Sequence, residues 1–385
     1  MSMPVVIVGG GIVGSCTALF LRRLAPERAV VVLERDPTYR FASTTLSCAS
    51  IRTQFTLPLN VRMSLFGSAF LDEMDRLSEA GIALVRRGYL IVATAAGEAG
   101  LRDHRAMQTA QGADVEWLAL DALRTRYPWL RTDDLAAATL GHTHEGWFDA
   151  YALLRTVRAE AIRQGAQYRH AEAVGLDMAE GRMTAVRTAA GERIAAAVVV
   201  NAAGPAAGRL AALAGVALPV APKKRTVFVL RAPLEAPDMP MLFDTSGAYI
   251  RPEGDAFLAG IVPPEAADPD ADGDFEPDMA LLEDLLWPRL AYRIPALEQL
   301  RVQRAWAGHY EVSTLDHNAI IGPHPAIANF LFANGFSGHG VQHAAAAGRA
   351  IAELISAGCY QTLDLSPFGY ERVRDHRPMP ELNVY

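Results

Sequence analysis

The sequence predicts an α/β fold in which a parallel, helix-covered sheet is joined to a second, β-rich α+β region. Three observations predict it. The chain opens with the apolar run Val5-Val6-Ile7-Val8, a glycine turn Gly9-Gly10-Gly11-Ile12-Val13-Gly14, and a second apolar run Val30-Val31-Val32-Leu33-Glu34. Short runs of this kind read as strands buried on both faces. A block from Pro222 to Val262 carries strand signals over 225–230, 247–251 and 256–261. Near the end, a strand over 330–333 leads into Asn334-Gly335-Phe336-Ser337-Gly338-His339-Gly340 and then an alanine-rich helix to about Ala357.

The first turn spells G-x-G-x-x-G at Gly9, Gly11 and Gly14. Gly9 suits the tight turn, Gly11 lets backbone approach a pyrophosphate, and Gly14 lets the helix pack on the strand. The helix starts where phosphates would sit, with free N–H groups and about half a positive charge. Glu34 follows Gly14 by 20 residues and places a carboxylate where a ribose is held. Strand, turn, helix, second strand and acid together make a Rossmann-like dinucleotide site. The alternative is a glycine-rich turn that binds nothing. There is one such motif, whereas a reductase drawing hydride from NAD(P)H would need a second. The expected nucleotide is therefore a permanently held FAD.

A chain of 385 residues is long enough for a large core and two domains. Apolar residues make up 51% and charged residues 21%, as in soluble globular proteins. The net charge of −7, with no basic run, argues against a nucleic-acid partner. Cys16, Cys48 and Cys359 form no C-x-x-C, which suits a reducing compartment and gives no metal site. The opening apolar run is too short for a membrane span and lacks the flanks of a signal peptide. A cytoplasmic protein is expected, and peripheral membrane association stays compatible with the sequence.

Ala42-Ser43-Thr44-Thr45-Leu46-Ser47-Cys48-Ala49-Ser50 is a run of small and hydroxylated residues suited to lying against a ligand. Helical spacing follows over 59–77 and a strand pattern over 88–94. Residues 141–147 read as a polar loop, and Asp149 as the N-cap of a helix that stops at Gly165. A buried strand over 193–201 enters the turn Ala202-Ala203-Gly204-Pro205, a further place where backbone meets a ligand. An acidic, proline-rich loop over 263–277 precedes a helix over 280–289. Both domains are expected to be discontinuous: FAD-binding over 1–85, 145–220 and 310–365, substrate-binding over 86–144 and 221–309, with a tail over 366–385.

The opening motif, the small-residue run, Val198-Val199-Val200-Asn201-Ala202-Ala203-Gly204 and the 335–340 loop together resemble the FAD-dependent D-amino-acid oxidase superfamily. That group includes glycine oxidase, sarcosine oxidase and D-amino-acid dehydrogenases. Residues 50–60 and Gly322-Pro323-His324-Pro325 with the later Gln361-Thr362-Leu363-Asp364-Leu365-Ser366-Pro367-Phe368 are most similar to FAD-dependent oxidoreductase-domain proteins related to sarcosine and dimethylglycine dehydrogenases. The resemblance implies that Gly9, Gly11, Ile12, Val13 and Gly14 hold the pyrophosphate and Glu34 the ribose, with Arg35 beside the adenine and Val174 also among the cofactor-binding residues. It places Ser43, Thr44, Thr45, Cys48 and Ala49 along the flavin, with Ala203, Gly204 and Gly308 nearby. Gly335, Gly338, His339, Gly340, Val341 and Gln342 would follow its pyrimidine edge. The stretch Ala307-Gly308-His309-Tyr310 has no cysteine, and 42–50 has no histidine, so the covalent tethers of some relatives are absent and FAD is expected to be noncovalent. Oxidases of this type keep a lysine on a strand similar to 257–262, and none occurs there. A dehydrogenase that passes electrons to a quinone or an electron-transfer protein is therefore favoured.

The implied reaction is oxidation of the C–N bond of a small N-methyl or D-amino acid by hydride transfer to the flavin, giving an imine that hydrolyses. A carboxylate substrate calls for arginine, since a charge-assisted hydrogen bond contributes about 1.5–3 kcal/mol. The candidates are Arg52, Arg225 and Arg251, with Tyr249 and Tyr310 as pocket-lining residues implied by the resemblance. Each arginine equally fits a salt bridge, Gln54 fits a structural amide, and His339 fits either a polarising or a structural role. His142-x-His144-Glu145 lacks the partners of a metal site. Two other functions stay open: oxidation of a 2-hydroxy acid, or a flavin-binding assembly protein of little turnover that docks through 361–385 or 263–277.

Overall fold

Val5–Val8, the opening run, pairs in parallel with Val30–Glu34 on one side and Val198–Asn201 on the other. Its side chains alternate between two cores: Val5 and Ile7 face one, Val6 and Val8 the other. That is why the run is apolar throughout. The computed structural model describes residues 3–271 and 273–382; residues 1–2, 272 and 383–385, at the chain ends and within the acidic loop, lie outside the described residues.

The six-stranded sheet runs Ile320–His324, Ile327–Asn334, Val198–Asn201, Val5–Val8, Val30–Glu34, Gln167–His170. Its first pair is antiparallel and the rest are parallel. Helices Ile12–Leu24, Pro58–Leu77, Ala150–Arg163 and Gly340–Ala357 cover one face. The other carries the three-stranded sheet Ala173–Ala179, Arg182–Thr188, Arg193–Ala195 and the short helix Ala207–Ala212. The alanine-rich composition of the last helix has a steric reason. A Cβ on Gly348 would lie 2.7 Å from the Cys16 carbonyl carbon, so the two central helices touch backbone to backbone.

An eight-stranded, largely antiparallel sheet forms the second layer, in the order Arg301–Ser313, Val220–Arg231, Ala256–Ile261, Ala248–Glu253, Met241–Phe243, Tyr89–Ala93, Ala137–Gly141, Val115–Ala119. One face buries Leu90, Phe228 and Ile250 under helical segments between Met279 and Gln299. The opposite face presents Tyr89, Phe243, Tyr249 and Leu258 toward Cys48 and Trp147.

Several local expectations meet the structure directly. Asp149 caps Ala150–Arg163 by accepting the N–H groups of Tyr151 and Ala152, both at 2.9 Å, and Gly165 follows with φ +97°. The single strand expected over 193–201 is instead two. Arg193–Ala195 pairs with Arg182–Thr188, whereas Val198–Asn201 enters the parallel sheet. The helix expected over 280–289 starts at Met279 and reaches Arg293 through a π turn at Leu282–Leu286. Pro288 lies in the first turn of the segment Trp287–Arg293.

The expected docking tail is largely anchored to the body. Arg372 is buried and donates to both Asp316 carboxylate oxygens, at 2.8 and 3.1 Å, and to the Asn318 carbonyl at 2.8 Å. Glu381 accepts the Thr56 N–H at 2.9 Å and the Asn60 amide at 3.0 Å. Those side chains therefore face inward and are not a surface for a partner. Replacing Arg372 with Ala would strand the buried Asp316 carboxylate and is expected to cost about 3–5 kcal/mol, read as a lower urea midpoint. A loss below about 1 kcal/mol, the range of an exposed pair, would contradict this role.

Candidate functional site

A cleft of about 1310 Å³ runs along the carboxyl ends of the parallel strands, the position where open α/β sheets bind ligands. Gly9 turns the chain with φ +103°, and a Cβ there would lie 2.2 Å from the Ala202 carbonyl oxygen. At Gly14 the clash would be with the Gly9 carbonyl oxygen at 1.9 Å, so helix and strand meet without side chains between them. Gly11 differs. Its nearest neighbour is the Thr44 hydroxyl at 3.5 Å, and beyond it lies the cleft. Gly11, at the N-cap of helix Ile12–Leu24, has no side chain to cap it; Thr44 takes the Ile12 N–H, and the first turn lies on the cleft.

Glu34 ends its strand at the cleft and braces the turn. Oε2 accepts the Gly10 N–H at 2.8 Å, and Oε1 accepts the Asp36 N–H at 2.8 Å. Each carboxylate oxygen has a second lone pair for a ligand hydroxyl. Arg35, Ala203 and Gly204 line the same cleft, and Val174 lines an adjoining recess of about 900 Å³ that shares Glu34 and Arg35.

The small-residue run crosses the middle of the cleft. Ser43 donates to the His309 carbonyl at 2.6 Å, and Thr44 accepts the Ile12 N–H at 3.2 Å, tying the run to both layers. The buried Thr45 hydroxyl has no protein partner. Cys48 and Gly308 lie off the main wall, on a recess of about 240 Å³ shared with Arg225 and Tyr310. Ala49 has φ +51°, and its carbonyl accepts the Phe148 N–H at 2.9 Å. The far wall is the start of helix Gly340–Ala357, with Gly338, Gly340 and Val341 on the cleft. Gly338 has φ +97°, and a Cβ there would lie 2.5 Å from the Tyr310 ring. Gly335 and Gln342 turn away: the Gly335 N–H donates to Glu311 at 3.2 Å, and the Gln342 amide oxygen accepts the Arg52 N–H at 2.9 Å.

The substrate candidates separate. Arg52 is buried, donates to the Gln54 carbonyl at 2.5 Å, stands 4.0 Å over the Phe55 ring and lies 3.3 Å from His339 Nε2. His339 immediately precedes the helix whose first residues line the cleft, so this pair stands behind the wall. Arg225 is engaged by Asp268 of the acidic loop in two parallel bonds of 2.8 and 2.9 Å. Arg251 donates to the Cys48 carbonyl at 3.0 Å and pairs with Glu253. Tyr310 lines the cleft, whereas Tyr249 packs 5.7 Å from Phe243 on the aromatic face of the second sheet. Burial pushes the phenols of both tyrosines up, so they stay neutral.

Three groups escape a reading of the sequence. Glu145 is fully buried, and its carboxylate accepts the Thr53 N–H at 2.7 Å, the Thr53 hydroxyl at 2.6 Å and the Gln54 amide at 3.0 Å. Burial pushes this carboxyl up against those bonds. It belongs to 141–147, expected as a polar loop; His142 turns instead to Glu116 at 3.0 Å. Among the described residues no three His, Cys, Asp or Glu side chains gather as a metal site. Phe275 of the acidic loop stacks on His309 at 4.1 Å and meets Phe41 at 4.8 Å, closing one end of the cleft. Glu311 lines the cleft beside Tyr310. The available signal was a charge within the otherwise uncharged 305–313 stretch. No described helix is long and apolar enough to cross a membrane.

Known proteins are similar to this chain in sequence and in fold. The chain is 37% identical to FAD-dependent oxidoreductase domain-containing protein 1 of Xenopus laevis, over 99% of this chain and 84% of that protein. It is 27% identical to mouse (Mus musculus) mitochondrial sarcosine dehydrogenase, over 92% of this chain and 40% of that longer protein. Among solved structures, L-proline dehydrogenase from P. horikoshii superposes with a TM-score of 0.86 at 26% identity, covering 98% of this chain and 99% of that one. Glycine oxidase from Geobacillus kaustophilus gives 0.80 at 25% identity, covering 95% and 97%. With residues 4–354 matching the FAD dependent oxidoreductase (DAO) family, the chain belongs to that family and is an FAD-dependent oxidoreductase.

Proposed function

We propose that this protein holds FAD noncovalently along the cleft and oxidises the C–N bond of a small, N-substituted amino acid. The observation that carries the reading is a cleft walled by the glycine turn and the first residues of helix Ile12–Leu24, with the buried Arg52 beside His339 at the start of helix Gly340–Ala357. The wall fits the group. Gly9, Gly11 and the first turn of Ile12–Leu24 would take the pyrophosphate, Glu34 the ribose, and Arg35 with Val174 the adenine end. Ser43, Thr44 and Thr45 would lie along the ring system, and Gly338, Gly340 and Val341 at its polar edge. FAD, when bound, supplies the hydride acceptor.

The chain's own residues would position the substrate. Arg52, held by Gln54 and faced by His339, puts positive charge next to the N-terminal end of helix Gly340–Ala357. That supports a substrate carboxylate docking from the cleft side. The neutral phenol of Tyr310 and the aromatic face bearing Tyr249, Phe243 and Trp147 exclude water from the reacting carbon. Water would hydrolyse the imine after release, to an oxo acid or to formaldehyde and the demethylated amine. Sarcosine and proline, named by two of the similar proteins, are both secondary amino acids, which supports a secondary amine as substrate.

A dehydrogenase is favoured over an oxidase. Strand Ala256–Ile261 bears no lysine, and Lys223 and Lys224 on the neighbouring strand are paired with Asp270 and Asp274. A quinone or an electron-transfer protein is then the acceptor.

Anaerobic addition of N-methyl and other secondary amino acids is expected to bleach the yellow holoprotein, and a quinone to restore its colour faster than oxygen. Bleaching by 2-hydroxy acids alone would shift the reading to C–O oxidation; no bleaching across the panel would overturn it. Arg52→Ala should raise KM for carboxylate substrates by roughly tenfold to 150-fold, the equivalent of 1.5–3 kcal/mol, with little change in FAD affinity. Equal loss of both assigns Arg52 to structure. Gly11→Ala should weaken FAD more than about tenfold at nearly unchanged stability, whereas Gly14→Ala should lower stability itself. The pair is separated by FAD fluorescence titration alongside urea unfolding.

A further inference from the structure

Glu311 sits on strand Arg301–Ser313, lines the cleft and is 9% exposed. Oε2 accepts the Gly335 N–H at 3.2 Å, and the Glu311 carbonyl accepts the Ser337 N–H at 3.0 Å, so strand and loop are pinned together. Oε1 faces the first turn of helix Gly340–Ala357: a Cβ placed on Gly340 would lie 3.5 Å from it. A carboxyl is thus buried against the positive end of an 18-residue helix, on the wall where Gly338, Gly340 and Val341 also stand.

No cationic side chain neutralises it among the described residues. On its own strand, His309 is engaged with the Asp274 carbonyl at 2.6 Å, and Tyr310 carries a neutral phenol. On the paired strand, Lys223, Lys224 and Arg225 are bonded to Asp270, Asp274 and Asp268. In the loop, His339 faces Arg52, and Arg209 lines the cleft from helix Ala207–Ala212 with contacts of its own. Burial outweighs the single bond from Gly335 and holds the Glu311 carboxyl up at about 8.

We infer that Glu311 is a proton-holding residue of the cofactor cleft, one that governs how strongly the end of helix Gly340–Ala357 stabilises negative charge there. The inference rests on FAD occupying the cleft. In the proposed reaction the substrate C–H bond breaks and its hydrogen leaves with the electron pair as hydride. The nitrogen gives a proton to water as C=N forms, and the cofactor gains one negative charge. A neutral Glu311 leaves the positive helix end uncancelled and offers an O–H donor to that charge. An ionised Glu311 cancels the helix end and repels it. Reduction therefore raises the proton affinity of Glu311, and between its titration before reduction and the higher one after it the carboxyl takes up one proton from water with each hydride.

The test is the midpoint potential of the FAD-loaded protein, measured spectroscopically from about pH 6 to about pH 10, a span centred on the raised carboxyl. The wild-type potential should fall more steeply above about pH 8, whereas Glu311→Gln should keep the shallower slope throughout. The two should agree at low pH. At the alkaline end the variant should bind reduced relative to oxidised FAD at least about tenfold more tightly than wild type, about 30 mV for a two-electron couple. A wild-type curve of constant slope overturns the inference without recourse to the variant. A variant offset equally at every pH overturns it as well, since only a titrating carboxyl gives a pH-dependent difference. Protein that folds yet takes up no FAD overturns the cleft reading itself and the inference with it.

Discussion

The approach of the Gly14 backbone to the Gly9 carbonyl is the constraint on which the rest depends. With no room for a Cβ at 1.9 Å, the helix Ile12–Leu24 starts directly against the end of strand Val5–Val8. Its first turn thereby lines the cleft beyond the parallel sheet. A second backbone contact, Gly348 against Cys16 and Thr17, brings helix Gly340–Ala357 alongside, so that two helix starts flank one cleft. In the proposed function an anionic ligand would meet the dipole of one, and a developing negative charge the other. The chemistry is set by where backbone is allowed to touch backbone.

The second layer closes over this cleft. Strand Arg301–Ser313 crosses the small-residue run closely at Gly308, where a Cβ would lie 2.8 Å from Leu46. Trp306 donates to the Leu46 carbonyl at 2.9 Å and Ser43 to the His309 carbonyl at 2.6 Å, which locks the layers together. Behind the wall, Glu145, Thr53, Gln54 and Thr139 form a buried network that holds the segment bearing Arg52. Such networks are costly when partly broken, because each group left unpaired loses its solvation without compensation. That gives the polar residues of 52–54 a reason to be where they are, independent of any substrate.

Much of the frame was legible in the sequence because its determinants are local. A strand buried on both faces must be apolar throughout, a tight turn at positive φ favours glycine, and Asp149 caps the helix that begins one residue later. The division of 193–201 was not legible: both halves look like strand, and only pairing with Arg182–Thr188 or with Val5–Val8 separates them. The site was legible where it is backbone and small residues, and obscure where it is buried charge. Glu145 meets Thr53 from 92 positions away, and Phe275 reaches His309 from a loop that reads only as acidic. Arg225 and Arg251 illustrate the same limit, since Asp268 and the Cys48 carbonyl, both distant in sequence, engage them and local pattern does not show it. Glu311 is a charge whose meaning comes from burial alone.

The central claim is that the cleft between these two helix starts holds FAD by shape and backbone contacts, without a covalent bond. The most direct measurement is to precipitate freshly purified yellow protein with acid and follow the flavin absorbance. The account requires FAD to appear in the supernatant, close to one per chain, and the pellet to be colourless. Colour retained in the pellet, or protein that never carried flavin at all, would contradict it.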